Sequence, residues 1–559
     1  MFIIFTIVFL FAGVTGFTQT TVSPSGEIAD REVVVVKDRI NTLGYAEPIL
    51  EKAETQPVNE QTREFSYSIN PVTLDLPAVK PTVSVQKLET PKIPKLYPNY
   101  LRAGGGNHFS SLLEGYFHNG RSKTHSFGAQ VKHLASKPKT DTNAFYPRPF
   151  SDNSIRLFGK KFMDEITFGA EAGYERNYVN MVMPKMIEIF YRKVDVFKKP
   201  IHHTFDSKVF FYTTNIEIPF RSKAEINFYR YLNEFNAEEN DLTFKAFLKY
   251  KINSSSSIFG NFYASTTDQK NEEKLYRSLS YFAFEPFFWY KKEKAEAKLG
   301  LKIHHESIKP VNSDNTGIYP DVSLKYAIVE ERLSLFTMAD GGKEKTTLKG
   351  LVLKNPLMYY NFLANDSTSG NPDLTYKVSG GVEGNLTTTL DIRFGYEFGK
   401  YEKNYFFYPT NFALQYYIIE VKNISVKRFF GEAVYRYNDA LRILLNAKTN
   451  VYDMNKQEEK PWRVPELEAA FAIFYVIKTK IEIHSEISLL NNYFLSEKDR
   501  NGNFEKKSLM DFNLGVDYRF SQRFSLFATA YNLMNEKYSR FYNYPVNGFT
   551  IIGGLSFSF

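Results

Sequence analysis

Phe512-Asn-Leu-Gly-Val-Asp-Tyr-Arg-Phe520 alternates without a break. Its even-numbered residues, Phe512, Leu514, Val516, Tyr518 and Phe520, are apolar; Asn513, Gly515, Asp517 and Arg519 between them are polar or small. Side chains of an extended chain point alternately to opposite faces, so this is a strand with one greasy and one wet face. The last run of the chain sets Phe549, Ile551, Leu555, Phe557 and Phe559 on one side in the same way. Working back, Leu242, Phe244, Ala246, Leu248 and Tyr250 oppose Thr243, Lys245 and Lys249. Leu390, Ile392, Phe394, Tyr396 and Phe398 likewise oppose Asp391, Arg393 and Glu397. Two-faced strands recur from Tyr100 to Phe559, and lipid on one side with a wet lumen on the other accounts for them simply.

The composition points the same way. Aromatics make up 16% of the 559 residues, with 51 Phe and 38 Tyr, as expected where many side chains sit at a lipid–water boundary. After the first residues no apolar run approaches the roughly 20 residues that a membrane helix needs. There is no cysteine, which removes disulfides, thiol nucleophiles, cysteine metal sites and a lipid anchor on an N-terminal cysteine. The net charge of +8 is spread over 70 basic and 62 acidic residues without a basic stripe, so no nucleic-acid partner is expected.

The connections between the two-faced runs alternate short and long. Met163-Asp164, Phe220, Lys291-Lys292 and Glu330-Glu331 are short; 180–203, 233–240, 306–316 and 340–374 are longer. Outer-membrane barrels have tight periplasmic turns and long outer loops, so the alternation assigns sides. If 402–423 is one outer loop or a strand extension, the count is about 22 strands with both chain ends periplasmic. The expected fold is therefore all-β: a transmembrane antiparallel β-barrel of about 22 strands over residues 99–559, embedded in outer-membrane lipid.

Two segments precede it. Residues 1–18 read as a secretory signal, with an apolar core at 2–11 followed by Ala12, Gly13, Thr15 and Gly16. Residues 19–98 carry prolines at 24, 48, 57, 71, 77, 81, 91, 94 and 98. Proline at that density denies the chain helix or sheet ladders, so a largely unstructured periplasmic arm is expected. Within it, Arg31-Glu-Val-Val-Val-Val-Lys-Asp38 is a short run of high strand propensity that can add to another sheet's edge or pair with its own barrel.

Catalytic and metal motifs are not evident. His202-His203 and His304-His305 are adjacent pairs, and neighbours on a strand point apart, so neither pair chelates by itself. No serine carries a nucleophile motif, Ser254-Ser-Ser-Ser257 reads as a turn, and Gly104-Gly-Gly106 as a bend on a strand. The chain is read as no enzyme, with no cofactor and no metal. Glu171, Glu175, Lys245, Lys249, Asp391, Arg393, Glu482, Glu486, Asp517 and Arg519 fall on wet faces. They either set an ion preference or form a neutral paired lining.

The C-terminal residues resemble a known family. Asn532-Leu533, Asn535 and Lys537-Tyr538, then a loop and Gly548-Phe-Thr-Ile-Ile-Gly-Gly-Leu-Ser-Phe-Ser-Phe559, look like the end of TonB-dependent outer-membrane receptors. Lys460-Pro-Trp-Arg-Val-Pro465 and Asn371-Pro-Asp-Leu374 look like their barrel connections, in the style of Bacteroidota members. The resemblance covers roughly residues 100–559 and implies solute uptake across the outer membrane. It also implies that Glu32, Val33, Val34, Val35 and Val36 are a box captured by TonB, and that Phe549, Ile551, Leu555, Phe557 and Phe559 form the strand on which barrel insertion depends. One departure stands out: the family's globular plug has no counterpart in 19–98, so a plug-less relative is expected. A barrel of that kind would need a partner, a folded-in loop or the arm as a stopper. The alternative function is a non-transporting scaffold subunit of an outer-membrane assembly or export complex. Partners to expect are TonB or another periplasmic protein on the arm, and a surface lipoprotein or outer-membrane complex over the loops.

Overall fold

The computed structural model describes residues 97–138, 149–179, 201–215, 217–270, 276–310, 312–330, 332–356, 371–409, 416–454, 460–498, 504–541 and 544–559. The signal segment, nearly all of the proline-rich arm and its valine run lie outside these residues.

Within them most of the chain forms one antiparallel sheet closed on itself; Ser539–Phe541 and Tyr544–Pro545 make a separate two-stranded sheet. Each strand pairs with the next in sequence, from Tyr100–Gly106 and Ser111–His118 onward. The last strand, Thr550–Ser558, pairs with the first, in register from Tyr100↔Ser558 to Gly106↔Ile552. Asn99 and Phe559 exchange backbone hydrogen bonds in both directions, at 3.1 and 2.9 Å, completing the seam. Of 23 strand segments in this sheet, Leu441–Thr449 and Val451–Asp453 both pair with Tyr416–Tyr437 and are one strand interrupted at Asn450. The barrel therefore has 22 strands, and closure leaves no unpaired edge for lipid to meet.

The two faces have the expected chemistry. On Glu238–Lys251, Leu242 and Phe244 point outward, 53% and 42% exposed, whereas Glu239, Asp241 and Thr243 between them are buried inside. No helix among the described residues is long and apolar enough to cross a membrane.

One rim carries tight turns, such as 163–165 and 478–480, where Lys478 and Thr479 both take positive φ. Both chain ends of the barrel lie at this rim. The other rim carries the longer connections, and strands there overshoot the roughly 9–11 residues that span a bilayer. The clearest case is 402–423, which continues two strands. Leu390–Pro409 and Tyr416–Tyr437 stay paired from Lys403↔Lys422 to Pro409↔Tyr416.

The expected loop at 306–316 is corrected to a tight hairpin. Ala295–Lys309 and Ser313–Val329 pair as far as Ile308↔Ser313, and Asn312 turns the chain at φ 50°. Beyond the bilayer both faces of these strands are polar, so the two-residue period fades while the ladder continues. The long connection at 340–374 is shorter than it reads, because its strands run to Lys343 and resume at Asp373.

Candidate functional site

The lumen wall is lined by ions that find partners across neighbouring strands. Arg156 lies 3.0 Å from Asp206, 3.6 Å from Glu175 and 3.9 Å from Glu171, and Lys208 lies 2.9 Å from Glu171. Lys245 is 3.5 Å from Glu225, Arg393 is 3.4 Å from Glu383, and Asp391 pairs with Arg436. Across the closing seam Asp517 meets Arg102 at 3.8 Å, and on the strands before it Arg519 meets Glu482 at 2.5 Å. Lys249 instead caps the face of Phe259 at 5.1 Å; Phe259 stacks on Phe287 at 4.5 Å, and Lys298 caps Phe287 at 4.4 Å. These two rings are sandwiched between ammonium groups, an arrangement the ring quadrupole favours. Of the two readings open for the wet-face charges, the structure favours the paired lining. Ions on adjacent inward positions of a pleated wall sit about 5 Å apart, close enough to neutralise one another.

A second feature crosses the inside of that wall. The strand Leu333–Lys343 shifts register at Gly341-Gly342, stays paired as far as Lys343↔Asp373, and the chain then turns inward. Gly342 has φ 148°, and a Cβ there would come within 2.8 Å of the His304 ring. Only glycine lets the backbone lie so close to the wall in that conformation. The Lys343 N–H donates to His304 Nδ1 at 3.0 Å, so the ring proton is on Nε2, which donates to Glu285 at 3.0 Å. Tyr281 donates its hydroxyl proton to the Lys343 carbonyl at 3.0 Å.

From there residues 344–355 run over the inner faces of further strands. Lys343 Nζ pairs with Glu306 at 2.7 Å and lies 3.5 Å from Asp373, all three buried; Lys403 adds a second cation 3.7 Å from Glu306. Lys345 pairs with Asp241. The short helix Leu348–Lys354 follows, capped by Thr347, whose hydroxyl accepts from Gly350 N. Its free N-terminal N–H groups at Leu348 and Lys349 donate to the Glu239 carboxylate at 2.5 and 3.0 Å. Leu348, Leu351 and Val352, spaced to share one face, are buried with Tyr231, Phe235 and Ala237; Tyr405 and Phe407 pack against the same cluster. Polar residues alternating with apolar ones on the wall therefore anchor one side of the segment, and a small core anchors the other. The return limb is tied in as well, since Asn371 N donates to Glu306 at 3.0 Å and Thr346 N to Asn371 at 2.7 Å.

The C-terminal motif is a loop clamp. Asn532 and Asn535 take φ of 49° and 54°. Asn532 accepts from Glu536 N and Asn535 accepts from Phe549 N, at 3.0 and 2.9 Å. On the terminal strand Ile551 and Leu555 face outward, Phe557 stacks on Phe524 at 4.5 Å, and Phe559 lies 5.1 Å beyond it. Phe549 immediately precedes the strand, with its carbonyl held by Asn107 at 2.8 Å. Glu32, Val33, Val34, Val35 and Val36 lie outside the described residues. His202 meets Tyr231 at 2.7 Å and His203 meets Tyr174 at 2.9 Å, so the pair does diverge. Among the described residues no group of three or more His, Asp or Glu is placed to hold a metal ion. Sequence reasoning missed residues 344–355. Their signal is Thr347 followed by Leu348, Leu351 and Val352, a helical spacing inside a chain of period two.

No family model matches the chain, and no curated protein matches it by sequence. Solved structures do match. The ferric enterobactin receptor PfeA of Pseudomonas aeruginosa superposes with a TM-score of 0.60 at 13% identity, over 82% of this chain and 80% of its own. The copper transporter OprC gives 0.63 at 12% identity, over 84% and 82%. The FrpB iron transporter from Neisseria meningitidis gives 0.65 at 10%, over 84% and 82%. These neighbours are receptors and transporters, not enzymes. The chain has the 22-strand barrel fold of the TonB-dependent outer-membrane receptors.

Proposed function

We propose that this barrel takes up a solute across the outer membrane, with its tight-turn rim and both barrel ends on the periplasmic side and residues 344–355 restricting the lumen. The observation that carries the reading is the inward course of residues 344–355 across the wall, in a fold shared with transporters of iron, ferric siderophore and copper. A scaffold has no use for a charged, wet interior that a segment of its own chain partly covers. A solute path has use for both, because an unobstructed barrel of 22 strands would leak. Capture of 32–36 by TonB supplies the energy in this reading, and the proline-rich arm gives that box its reach.

Planar-bilayer conductance of the purified chain tests the path. Replacing 344–371 with a short Gly-Ser linker should turn small, intermittent currents into large, steady ones. Silence in both proteins would favour the non-transporting scaffold. Proline at Val34 and Val35 tests the coupling, and undiminished capture of TonB in a pull-down would remove the box.

A further inference from the structure

Under residues 344–355 two strands present their inner faces in register: Glu239 opposite Gln269, Asp241 opposite Thr267, Thr243 opposite Ser265. What these six offer is mostly acceptors. Glu239 and Asp241 are 0% and 3% exposed. Thr243 and Thr267 donate their hydroxyl protons to Asp241 at 2.7 and 2.6 Å, and Gln269 Nε2 donates to Glu239 at 2.6 Å. Two more groups that can accept, Gln269 Oε1 and the Ser265 hydroxyl, are buried without a hydrogen-bond partner among the described residues, and Gln269 is only 1% exposed. Among the described residues Lys345 fills the row: its Nζ binds Asp241, with Thr243 Oγ1 at 3.5 Å and the Tyr263 ring at 5.8 Å, a ring that Lys245 Nζ also approaches at 6.0 Å.

A buried carboxylate needs a cation, and a buried amide oxygen or hydroxyl left without a partner is destabilising. A wall evolved only to seat its own crossing segment gains nothing from two orphaned acceptors beside the seat. A visiting group with several N–H donors would satisfy them. We propose that this row is a subsite for the ammonium groups of an amine-bearing, cationic solute, and that Lys345 is the chain's own occupant, displaced with residues 344–355 when the solute enters.

The inference rests on the uptake reading and names the chemistry of what is taken up. An ammonium brings three donors and a compact charge. The row supplies a carboxylate, hydroxyls, and the Tyr263 face for cation–π contact. A second amine on the same molecule would find Glu239 and Gln269 Oε1 one pair along. Arg277, opposite Gln269 on the next strand, has Nη2 buried with no hydrogen-bond partner among the described residues and lies in the field of Glu239 and Glu306. It offsets one carboxylate, so the balance of the remaining acid falls to Lys345 or its replacement.

Spermidine binding to the full-length chain in detergent, followed by calorimetry, tests this. An internal occupant lowers apparent affinity by the fraction of time it holds the site. Lys345→Ala should therefore bind spermidine at least about tenfold more tightly than the wild type, and adding Asp241→Asn should abolish the gain. Lys345→Met, which keeps the stem, carries the same test if the alanine variant loses its heat-dependent gel mobility. No gain in either Lys345 variant would overturn the subsite, as would a gain that survives Asp241→Asn, or tighter binding of citrate than of spermidine. Conductance judges the path independently: a conducting barrel that ignores spermidine rejects the subsite and leaves uptake standing.

Discussion

Lys343 Nζ lies 2.7 Å from Glu306 Oε1, and the two side chains are 0% and 1% exposed. An ion pair so deep inside a barrel drawn as a water-filled tube means that the chain itself has excluded the water there. The exclusion is local. It follows the inward turn after Gly341-Gly342 and the return limb at Asn371, whose N–H takes the second oxygen of Glu306 at 3.0 Å.

Removing one partner of this pair should therefore cost far more than removing a lumen ion near the tight-turn rim. Lys343→Met strands Glu306 and Asp373 with Lys403 3.7 Å from Glu306 as the nearest remaining cation; breaking a buried pair this way costs about 3–5 kcal/mol. Lys223→Met, whose ion pair with Glu225 is half exposed, should change stability by less than about 1 kcal/mol. The temperature at which each variant's gel mobility shifts in detergent reads the difference. Equal shifts would mean that the lumen wets Glu306 after all.

Gly342→Ala addresses the turn itself. The new Cβ would sit 2.8 Å from His304 Cε1 in a backbone conformation that alanine disfavours. Strain of this kind costs about 1–3 kcal/mol, enough to loosen residues 344–355 without opening the barrel. The variant should keep its heat-dependent mobility and show larger, steadier bilayer currents than the wild type. Unchanged currents would show that residues 344–355 do not restrict the path.

How much of this was legible in the sequence follows from what each feature depends on. The barrel was legible because lipid and lumen impose opposite chemistry on alternate residues, as at Phe512 to Phe520, and the short–long alternation of connections assigned the rims. Registers such as Lys403↔Lys422 were not, because apolar residues fall on both faces there: Phe406 and Val421 are buried on one, while Tyr405 and Phe407 on the other pack against the Leu348 cluster, so no two-residue period survives. The Lys345–Asp241 pair joins residues 104 positions apart. It exists only because the wall curves and residues 344–355 turn inward, and no local spacing encodes either fact. The helix Leu348–Lys354 went unread, although a capping threonine and three apolar residues on one face carried its signal.

The seam gives a third prediction. Gly554 lies opposite Gly104, and a Cβ on Gly554 would fall 2.0 Å from the Ala103 carbonyl oxygen. Arg102 and Phe527 fill the space that side chains would otherwise take, with the guanidinium 3.8 Å over the ring. Gly554→Val should destabilise closure by about 1–3 kcal/mol, as overpacking does. Gly553→Val should be milder, because its Cβ would meet its nearest neighbour, the Phe527 carbonyl oxygen, at 3.4 Å. The yield of heat-modifiable protein after refolding into detergent ranks the two, and the reverse order would count against this account of the seam.

The last prediction tests which face is which. Phe244 and Lys245 are neighbours on one strand; Phe244 is 42% exposed on the outer face, while Lys245 lies inside, 3.5 Å from Glu225. If lipid covers the outer face, Phe244→Arg places a charge in hydrocarbon, at a cost of about 2–4 kcal/mol near the midplane. Lys245→Phe places a ring in a lumen that already holds Tyr263 and Phe259, and Glu225 keeps Lys223 at 3.0 Å. It should cost less than about 1 kcal/mol, as a partly exposed ion pair does. Folding efficiency into lipid vesicles separates the variants. In a soluble β protein the order would invert, since an exposed arginine is harmless in water, and that inversion would remove the barrel from the membrane.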